Sequence, residues 1–455
     1  MLTELSVQNF KALQDTKPIR MAPITGFFGP NSSGKSSISQ FLLLLKQTVQ
    51  SPDRSQVLHF GDKRTAIDLG SFHDVAHAHD ESRIISFKIS WNLKKPIKLK
   101  SGNKIFSGDR IQFTAEIGRA TSKRPEIAVL KMNYVFGDPQ GKGVEIGMER
   151  SSEDRNSYAL TGDLYGKGRK QKVILPAPVR FYGFPEEVFA SVREVDFVRE
   201  LVLHLEKRLQ SIYYLGPLRS HPQRSYSWSG ENPEDVGWAG ERAIDAILAA
   251  HNRTLSIRSS SGNLRFDVVI AHWLKRLGVI ETFELKKVGE HRKDYDVLVT
   301  TPGAKKNVYL TEVGFGVSQV LPILVECFYA PPGSIIIIEQ PELHLHPAVQ
   351  SSLADFFIDV IHARDNSGER DIQLILESHS EHFLRRLQRR VAEEELMPTE
   401  AAIYFCSILS GSSNIKALNV DAYGNINNWP QNFFGDDVAD LTAMTEAEIS
   451  RKTKL

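Results

Sequence analysis

The stretch GPNSSGKS, from Gly29 to Ser36, fits the pattern G-x-x-x-x-G-K-[S/T] of a phosphate-binding loop. An apolar run at residues 24–28 precedes it and a helix-forming run at residues 36–49 follows, so the loop joins a strand to a helix. In such a loop the glycines let backbone N–H groups face phosphate oxygens, and the helix N-terminus adds a positive field. We therefore predict that the phosphate site is formed by Gly29, Pro30, Asn31, Ser32, Ser33, Gly34, Lys35, Ser36 and Ser37.

We predict specific chemical roles for two residues of the loop and for one residue far along the chain. Lys35 is placed to reach the β and γ phosphates of ATP, and the Ser36 hydroxyl is placed to bind Mg²⁺. Such a loop also needs a metal-holding acid at the end of a buried strand. In SIIIIEQPELHLHP the β-branched run Ile335–Ile338 is typical of a strand buried on both faces, and Glu339 ends it.

Two further stretches, like the phosphate-binding loop, place polar residues or glycines next to a predicted strand or helix. LILESHSEH, at Leu374–His382, is a second apolar run that ends in a polar turn containing His379. LTEVGFGVSQVLPIL, at Leu310–Leu324, places glycines and a serine at a predicted helix start, where backbone N–H groups can meet an anion. The alternative interpretation of this second stretch is an ordinary glycine turn followed by a helix N-cap.

Together these four stretches resemble the ABC/SMC-like ATPases, and the resemblance implies roles for their residues. It implies that Glu339 holds the metal and that His379 contacts the γ-phosphate. It also implies that the glycine-rich stretch is a signature segment, which closes the nucleotide site of an opposite chain. The residues that it assigns to this contact are Gly314, Gly316 and Ser318. Two chains would then face each other head to tail, with two ATP molecules between them.

The position after Glu339 departs from that resemblance. ABC/SMC-like ATPases carry a catalytic glutamate there, whereas this chain has Gln340, whose amide can orient a water but cannot take its proton. Three explanations are open: hydrolysis is slow, Glu342 supplies the carboxylate, or the phosphate itself accepts the proton. Glu342 is equally well interpreted as an acid at a helix start. We expect a slow, switch-like ATPase with Gln340, Glu342 and His379 as the catalytic candidates.

The sequences EQPELHLHP, ESHSEHF, YYLGPLRSHPQRSY and NNWPQNFFGD resemble, as a set, one bacterial family of AAA-type, SMC/RecF-like ATPases that carry a C-terminal DUF3696 segment. Relatives of that family include ATPase subunits of anti-phage defence operons and the ATPase half of overcoming-lysogenisation-defect nucleases. Those nucleases carry a Toprim domain after the ATPase, whereas 76 residues follow His379 here, so we expect no intrinsic nuclease. Trp429, Phe433 and Phe434 of the tail are predicted to pack against the core.

The predicted fold class is α/β: an ABC-type P-loop NTPase core with a mixed or parallel sheet, an inserted antiparallel β-rich lobe and a helical segment. The inserted lobe is indicated by short alternating stretches that interrupt the core. The predicted domains are 1–82 (N-terminal part of the core with the phosphate loop), 83–182 (β-rich lobe), 183–280 (helical segment and connector), 281–410 (C-terminal part of the core) and 411–455 (tail with the WP and FF residues).

Composition narrows the classes of function. The 455 residues carry a formal net charge of +1, so any nucleic-acid surface must be local. The two cysteines, Cys327 and Cys406, lie outside any CxxC motif, which argues against a disulfide scaffold and a cysteine zinc site. We find no signal peptide and no run long enough to span a membrane, so we expect a cytoplasmic protein without a membrane partner. His344 and His346 are, as two histidines alone, weak evidence for a metal site.

Two basic features stay open at this stage. One is a lysine-rich stretch beside Trp91 and Phe106, which either binds DNA or an acidic protein, or guards a strand edge. Its members are Lys94, Lys95, Lys98, Lys100 and Lys104. The other is the pair Arg219 and Arg224, which either contact the nucleotide or a partner, or form structural salt bridges.

We predict an ATPase that uses ATP to drive assembly of its own copies and thereby controls a separate effector, a nuclease or toxin of the same operon, in anti-phage defence. The alternative is a RecF/SMC-like DNA-binding ATPase of repair or recombination. The long heptad arms of the SMC and Rad50 branch are not found in the sequence. The large insertion argues against a transporter ATPase, and the lack of an NKxD motif argues against a GTPase.

Overall fold

The computed structural model describes residues 1–101, 104–120, 126–138, 143–151, 157–162, 174–191, 195–260, 262–289, 292–430, 433 and 437–452. The elements up to residue 215 are β1 (Leu2–Phe10), β2 (Leu13–Asp15), β3 (Ile19–Arg20), β4 (Ile24–Phe28), α1 (Lys35–Gln50), α2 (Phe72–Val75), β5 (Ile85–Ser101), β6 (Lys104–Arg119), β7 (Ile127–Gly137), β8 (Gly143–Arg150), β9 (Tyr158–Gly162), α3 (Glu186–Ser191), α4 (Phe197–Gln210) and β10 (Ile212–Leu215).

The elements that follow are β11 (Ser225–Ser227), α5 (Ala243–Ala249), β12 (Thr254–Ser256), β13 (Asn263–Arg265), α6 (Phe266–Arg276), β14 (Thr282–Lys287), β15 (Asp294–Thr300), β16 (Val308–Tyr309), α7 (Phe315–Tyr329), β17 (Ile335–Glu339), α8 (Pro347–His362), β18 (Arg364–Asp365), β19 (Gly368–Glu369), β20 (Gln373–Ser378), α9 (Glu381–Ala392), β21 (Ala401–Leu409), β22 (Ser412–Leu418) and α10 (Asp437–Lys452). Single 3₁₀ turns lie at His77–His79, Leu310–Glu312 and Pro398–Glu400.

The core sheet brings the predicted motifs to one edge. Its six strands have the order β10-β17-β20-β4-β21-β22, in which the first five are parallel and β22 is antiparallel to β21. Because parallel strands share a direction, the carboxyl ends of β4, β17 and β20 meet at the same edge. The predicted α/β class with a mixed sheet is confirmed.

Strands β4, β17 and β20 of this sheet are buried on both faces, as the continuous β-branched run in β17 predicted. Ile335 and Ile337 face a cluster that includes α1, whereas Ile336 and Ile338 face a second cluster that includes α6, α7 and α8. All four isoleucine side chains are fully buried. The pairing with β20, from Ile335–Gln373 to Glu339–Glu377, sets the register of β17 and with it the position of Glu339 at the strand end.

The predicted β-rich lobe continues a sheet that starts at the N-terminus. Strands β5 to β9 belong to an antiparallel sheet of order β2-β1-β5-β6-β7-β8-β9, in which β3 also pairs with β1. Strand β5 pairs along β1 from Leu2–Trp91 to Gln8–Ser86. The predicted boundary between 1–82 and 83–182 therefore does not separate two sheets. Beyond Trp91, β5 runs on along β6 as far as Ser101, and Lys94 in this extension pairs with Asp371 at 2.5 Å (Nζ–Oδ2).

The tail packs on the core through the aromatic side chains of Trp429 and Phe433. Phe433 is buried, and its ring centroid lies 4.6 Å from that of Phe405 and 6.4 Å from that of Phe28, the residue before the phosphate loop. Trp429 packs on Phe433 at 5.0 Å. Phe434, the third residue predicted to anchor the tail, lies outside the described residues. Among the helices that the structure describes, none is long and apolar enough to cross a membrane.

Glu326, in the last turn of α7, carries a buried carboxyl group. Its Oε2 accepts a hydrogen bond from the N–H of Val236 at 2.9 Å, and its Oε1 is buried without a partner among the described residues. Burial raises the pKa of Glu326 from 4.5 to about 8. Between these values the folded chain binds more protons than the unfolded chain, so this residue lowers the free energy of unfolding as pH rises through that window.

We therefore expect Glu326→Gln to raise the melting temperature at about pH 8.5 and to change it little at about pH 5, because glutamine stays neutral throughout. Calorimetry of both proteins at the two pH values checks this. The exposed Glu187→Gln serves as the control and should alter neither melting temperature. A variant that gains nothing at the higher pH would contradict the raised pKa.

Candidate nucleotide site

The loop between β4 and α1 has the conformation that a phosphate-binding loop requires at its glycines. Gly29 has φ 142° and Gly34 has φ 90°, a backbone region that L side chains rarely adopt. A Cβ atom at Gly29 would lie 2.1 Å from the carbonyl oxygen of Cys406, and one at Gly34 would lie 2.6 Å from the hydroxyl oxygen of Ser413. The β21–β22 hairpin therefore packs tightly against the loop and fixes its curl.

The rest of the loop divides into an exposed tip and a buried base. The exposed residues are Pro30, Asn31 and Ser32. Ser33 and Ser37 are buried, and the hydroxyl of Ser413 donates to the carbonyl of Ser33 at 2.6 Å. The tip is thus open to a ligand that approaches from solvent, while the base is held by the core.

Lys35 begins α1 and lies inside the loop with 3% of its surface exposed. Its Nζ donates to the carbonyl oxygens of Gly29 at 3.0 Å and Pro30 at 2.7 Å. Burial lowers the pKa of Lys35, and the carboxylate of Glu377 opposes that effect. Hydrogen bonds to charged phosphate oxygens are stronger than those to neutral carbonyls, so the ammonium group is stabilised when phosphate oxygens replace these carbonyls.

Two carboxylates meet beside Ser36 at the edge of the sheet. Glu339 ends β17 and is paired in register with Glu377 near the end of β20. The Ser36 hydroxyl donates to Oε1 of Glu377 at 2.9 Å, and the other oxygen of Glu377 is buried without a partner among the described residues. Burial and then Glu377 raise the pKa of Glu339 to about 7, and burial raises the pKa of Glu377.

This donor set fits Mg²⁺. A cation that lies between a hydroxyl and two carboxylates with raised pKa values stabilises the charged form of both carboxylates. In the described part of the chain no group of three or more His, Cys, Asp or Glu side chains could hold a metal ion. That agrees with the habit of Mg²⁺, which binds through one or two carboxylates and completes its shell with waters and phosphate oxygens. Ser36, Glu339 and Glu377 are the residues that would hold it.

The catalytic candidates lie around the turn that follows β17. Gln340 is half-buried and has φ 46°, a left-handed conformation that is uncommon for a residue other than glycine. Oε1 of Glu342 accepts the N–H of His379 at 2.5 Å, and burial raises the pKa of Glu342. The His379 ring interacts with the backbone of Gly29, and burial lowers its pKa. The structure therefore brings Gln340, Glu342 and His379 together beside the loop.

Glu342 is already engaged in this arrangement. One of its oxygens holds the turn that carries His379, and the other is buried without a partner in the part of the chain described. A carboxylate with one fixed contact and one unused oxygen can be structural, catalytic or both. The geometry leaves Gln340, whose side chain is more exposed than that of Glu342, as the group that a water can reach.

The predicted signature residues lie at the start of α7, which is open to solvent. Gly314 is the N-cap of α7, and a side chain there would meet nothing within 4 Å. A Cβ at Gly316 would lie 3.4 Å from Leu345, so this end of α7 packs on the loop that follows β17. Ser318 is buried, and its hydroxyl donates to the carbonyl of Phe315 at 2.6 Å. The first turn of α7 can thus offer backbone N–H groups outward, whereas Ser318 must change rotamer to reach a ligand.

The two histidines of the LHLHP sequence have other partners than a metal. The ring of His346 caps α8 by accepting the N–H of Ala348 at 3.3 Å. The ring of His344 is exposed and packs edge-on against Phe315 at 5.2 Å. These contacts explain both residues without a metal ion.

Two residues of this site, Glu377 and Tyr214, were not predicted from the sequence, and the role of a third, Arg219, was left open. Glu377 follows LIL much as Glu339 follows IIII, and that repeated pattern could have pointed to it. Arg219 was left open between nucleotide contact and salt bridge; instead its guanidinium donates to the main-chain carbonyls of Glu339 at 3.0 Å and Gln340 at 3.4 Å. The Tyr214 hydroxyl donates to Oε1 of Glu339 at 3.3 Å, and burial raises the pKa of Tyr214.

Comparison with family models matches most of the chain. Residues 1–157 match the model described as an AAA ATPase domain. Residues 190–385 match the model described as AAA domain, putative AbiEii toxin, Type IV TA system. Residues 396–444 match the model described as protein of unknown function, DUF3696. A comparison with curated protein sequences gives no match.

Solved structures that match this chain include SMC head domains. The SMC head bound to the C-winged helix domain of ScpA is 11% identical, with a TM-score of 0.43, over 92% of this chain and 98% of that chain. The SMC head domain from Thermotoga maritima is 12% identical, with a TM-score of 0.40, over 92% and 99%. A third, the Pyrococcus furiosus Smc head with an extended coiled coil bound to the C-terminal domain of ScpA, is 12% identical, with a TM-score of 0.38, over 92% and 96%.

Proposed function

We propose that this chain, which belongs to the AAA-type ATPases that carry a C-terminal DUF3696 segment, is a nucleotide-driven assembly switch. It binds Mg-ATP at the loop of residues 29–37, and the start of α7 of a second copy closes the site. Two copies thus assemble head to tail around two nucleotides. Hydrolysis is slow, so the assembled state lasts long enough to hold or release a separate effector.

The observation that carries this proposal is the position of α7. Its first turn lies beside the loop after β17, where Gly316 approaches Leu345, and it is exposed. The phosphate loop lies at the other side of the same edge, since β20 separates β17 from β4. An exposed helix start at this edge is suited to the nucleotide of a facing copy, because an N-terminus attracts anions.

Slow hydrolysis is supported by the groups around the phosphate site. Mg²⁺, when bound, would neutralise charge on the phosphates. Gln340 can orient the attacking water through its amide but cannot accept a proton. Lys35 holds phosphate oxygens, and the His379 ring, next to Gly29, is placed to contact the terminal phosphate.

Gln340→Glu is expected to raise the turnover number by at least about 10-fold, since a positioned general base contributes roughly 10²- to 10⁴-fold. Steady-state phosphate release at saturating ATP measures it. Gln340→Ala should lower turnover, because the water loses its orienting amide. If Gln340→Glu leaves turnover unchanged and Glu342→Gln is inactive, the general base is Glu342. The missing carboxylate at residue 340 would then no longer explain slow hydrolysis.

The effector and the role in anti-phage defence rest on the resemblance stated above and on one matched model, whose description names a toxin–antitoxin system. The test is co-purification of the chain with the product of a neighbouring gene in the presence of ATP and of ADP. Association that depends on ATP supports the switch. DNA binding that falls steeply with salt and responds to ATP, without such a protein partner, would favour the DNA-repair alternative.

A further inference from the structure

We propose that Arg219 is a positioning residue for hydrolysis, which holds the turn after β17 so that Gln340 faces the nucleotide. The inference rests on the proposed function, because it names the group that sets the geometry of the same site. Arg219 touches neither the phosphate loop nor the carboxylate oxygens by hydrogen bonds in the described part of the chain; it acts through Gln340.

The contacts of Arg219 are those of a clamp on the main chain. The side chain is 5% exposed, and its two terminal nitrogens donate to the carbonyl oxygens of Glu339 and Gln340 at 3.0 and 3.4 Å. Burial lowers the pKa of Arg219 to about 10. A buried guanidinium that donates to two consecutive carbonyls restrains the two peptide planes on either side of Gln340, since both donors belong to one rigid planar group.

Gln340 is held from its other side as well. Its N–H donates to the carbonyl of Glu377 at 2.8 Å, which continues the ladder between β17 and β20 by one residue. Its φ of 46° is the left-handed region. A residue other than glycine persists there only when the surroundings over-determine it, and such residues concentrate at functional sites. Arg219 and Glu377 together supply that constraint.

The segment that carries Arg219 also contacts the start of α7. We call residues 216–224 the connector. Its Ser220 N–H donates to the carbonyl of Ala239 at 2.8 Å, which anchors it, and the ring of His221 lies 5.3 Å from that of Phe315, the first residue of α7. The connector therefore joins the turn at a chain's own nucleotide to the helix start that faces the partner copy.

The first test is the turnover number of Arg219→Met, measured at saturating ATP and divided by the concentration of nucleotide-binding sites. We expect a fall of at least about 10-fold with the dissociation constant of ATP changed by less than about 3-fold, because the misplaced group acts after binding. Arg219→Lys should recover little, since an ammonium cannot bridge two carbonyls in one plane.

The matched control is Arg370→Met. Arg370 is also fully buried and also donates to two main-chain carbonyls, those of Cys327 and Ala330, but it lies before the start of β20, at the opposite edge of the sheet. It should lower the melting temperature as Arg219→Met does and leave turnover per site unchanged. A merely structural role for Arg219 would make the two variants alike.

The decisive measurement is the double-mutant cycle with Gln340→Ala. If Arg219 acts through Gln340, Arg219→Met should change turnover by less than about 2-fold once residue 340 is alanine. Equal falls in both backgrounds, or an unchanged turnover in Arg219→Met alone, would overturn the inference. Failure of the wild-type chain to bind ATP would instead overturn the proposed function, so the two failures are distinguishable.

Discussion

Lys35→Ala is expected to weaken ATP binding by at least about 100-fold, because a charge-assisted hydrogen bond contributes roughly 1.5–3 kcal/mol and Lys35 would make more than one to the phosphates. In the structure its Nζ donates to the carbonyls of Gly29 and Pro30, which lose this donor when the side chain is removed. Titration calorimetry with ATP and Mg²⁺ measures the change.

Lys46→Ala is the matched control for this variant. Lys46 lies three turns further along α1, donates to the carbonyl of Ile212 and sits 5.3 Å from the ring of Tyr213. Its loss should lower the melting temperature and leave ATP affinity nearly intact. Undiminished ATP binding by Lys35→Ala would contradict the assignment of residues 29–37 as the loop that binds ATP.

Gly314→Asp is expected to abolish ATP-driven assembly while the single chain keeps its fold and its ATP affinity. Nothing lies within 4 Å of a Cβ at this position, so the side chain fits. Aspartate is also a favoured N-cap, so α7 should not be weakened. In the facing arrangement, however, its carboxylate would lie against the terminal phosphate of the partner's ATP, and like charges in such a contact cost several kcal/mol.

Gly314→Ala separates charge from bulk. It also fits the open space and should assemble nearly as the wild type does, within about 3-fold in dissociation constant, because surface substitutions usually change little. Light scattering with a non-hydrolysable ATP analogue measures both variants. Normal assembly of Gly314→Asp would place the start of α7 outside the interface.

The sequence predicted those parts of the site that lie in one continuous segment each. GPNSSGKS needed only its own spacing, and Ile335–Ile338 needed only its composition to predict a buried strand ending at Glu339. The order of the strands across the sheet could not be predicted from the sequence. Whether β20 lies between β17 and β4 depends on packing between distant segments, and that order is what puts Glu377 beside Ser36.

Two other features depended on partners that are remote in sequence. Arg219 and Gln340 are 121 residues apart. No local sequence pattern indicates that a side chain will form a hydrogen bond with the main chain of a distant segment. The alternating stretches after residue 83 correctly predicted antiparallel strands, but alternation does not say which other strands they pair with. Here β5 pairs with β1, which also pairs with β2 and β3, so the lobe extends a sheet formed by the N-terminal strands.

Sedimentation velocity of the wild-type chain tests whether two copies share their nucleotides. With Mg²⁺ and a non-hydrolysable ATP analogue we expect a shift from the mass of one chain to at least that of two, with one nucleotide bound per chain, and a return to the single chain in ADP. A chain that binds the analogue fully and still sediments as a single chain would contradict this expectation.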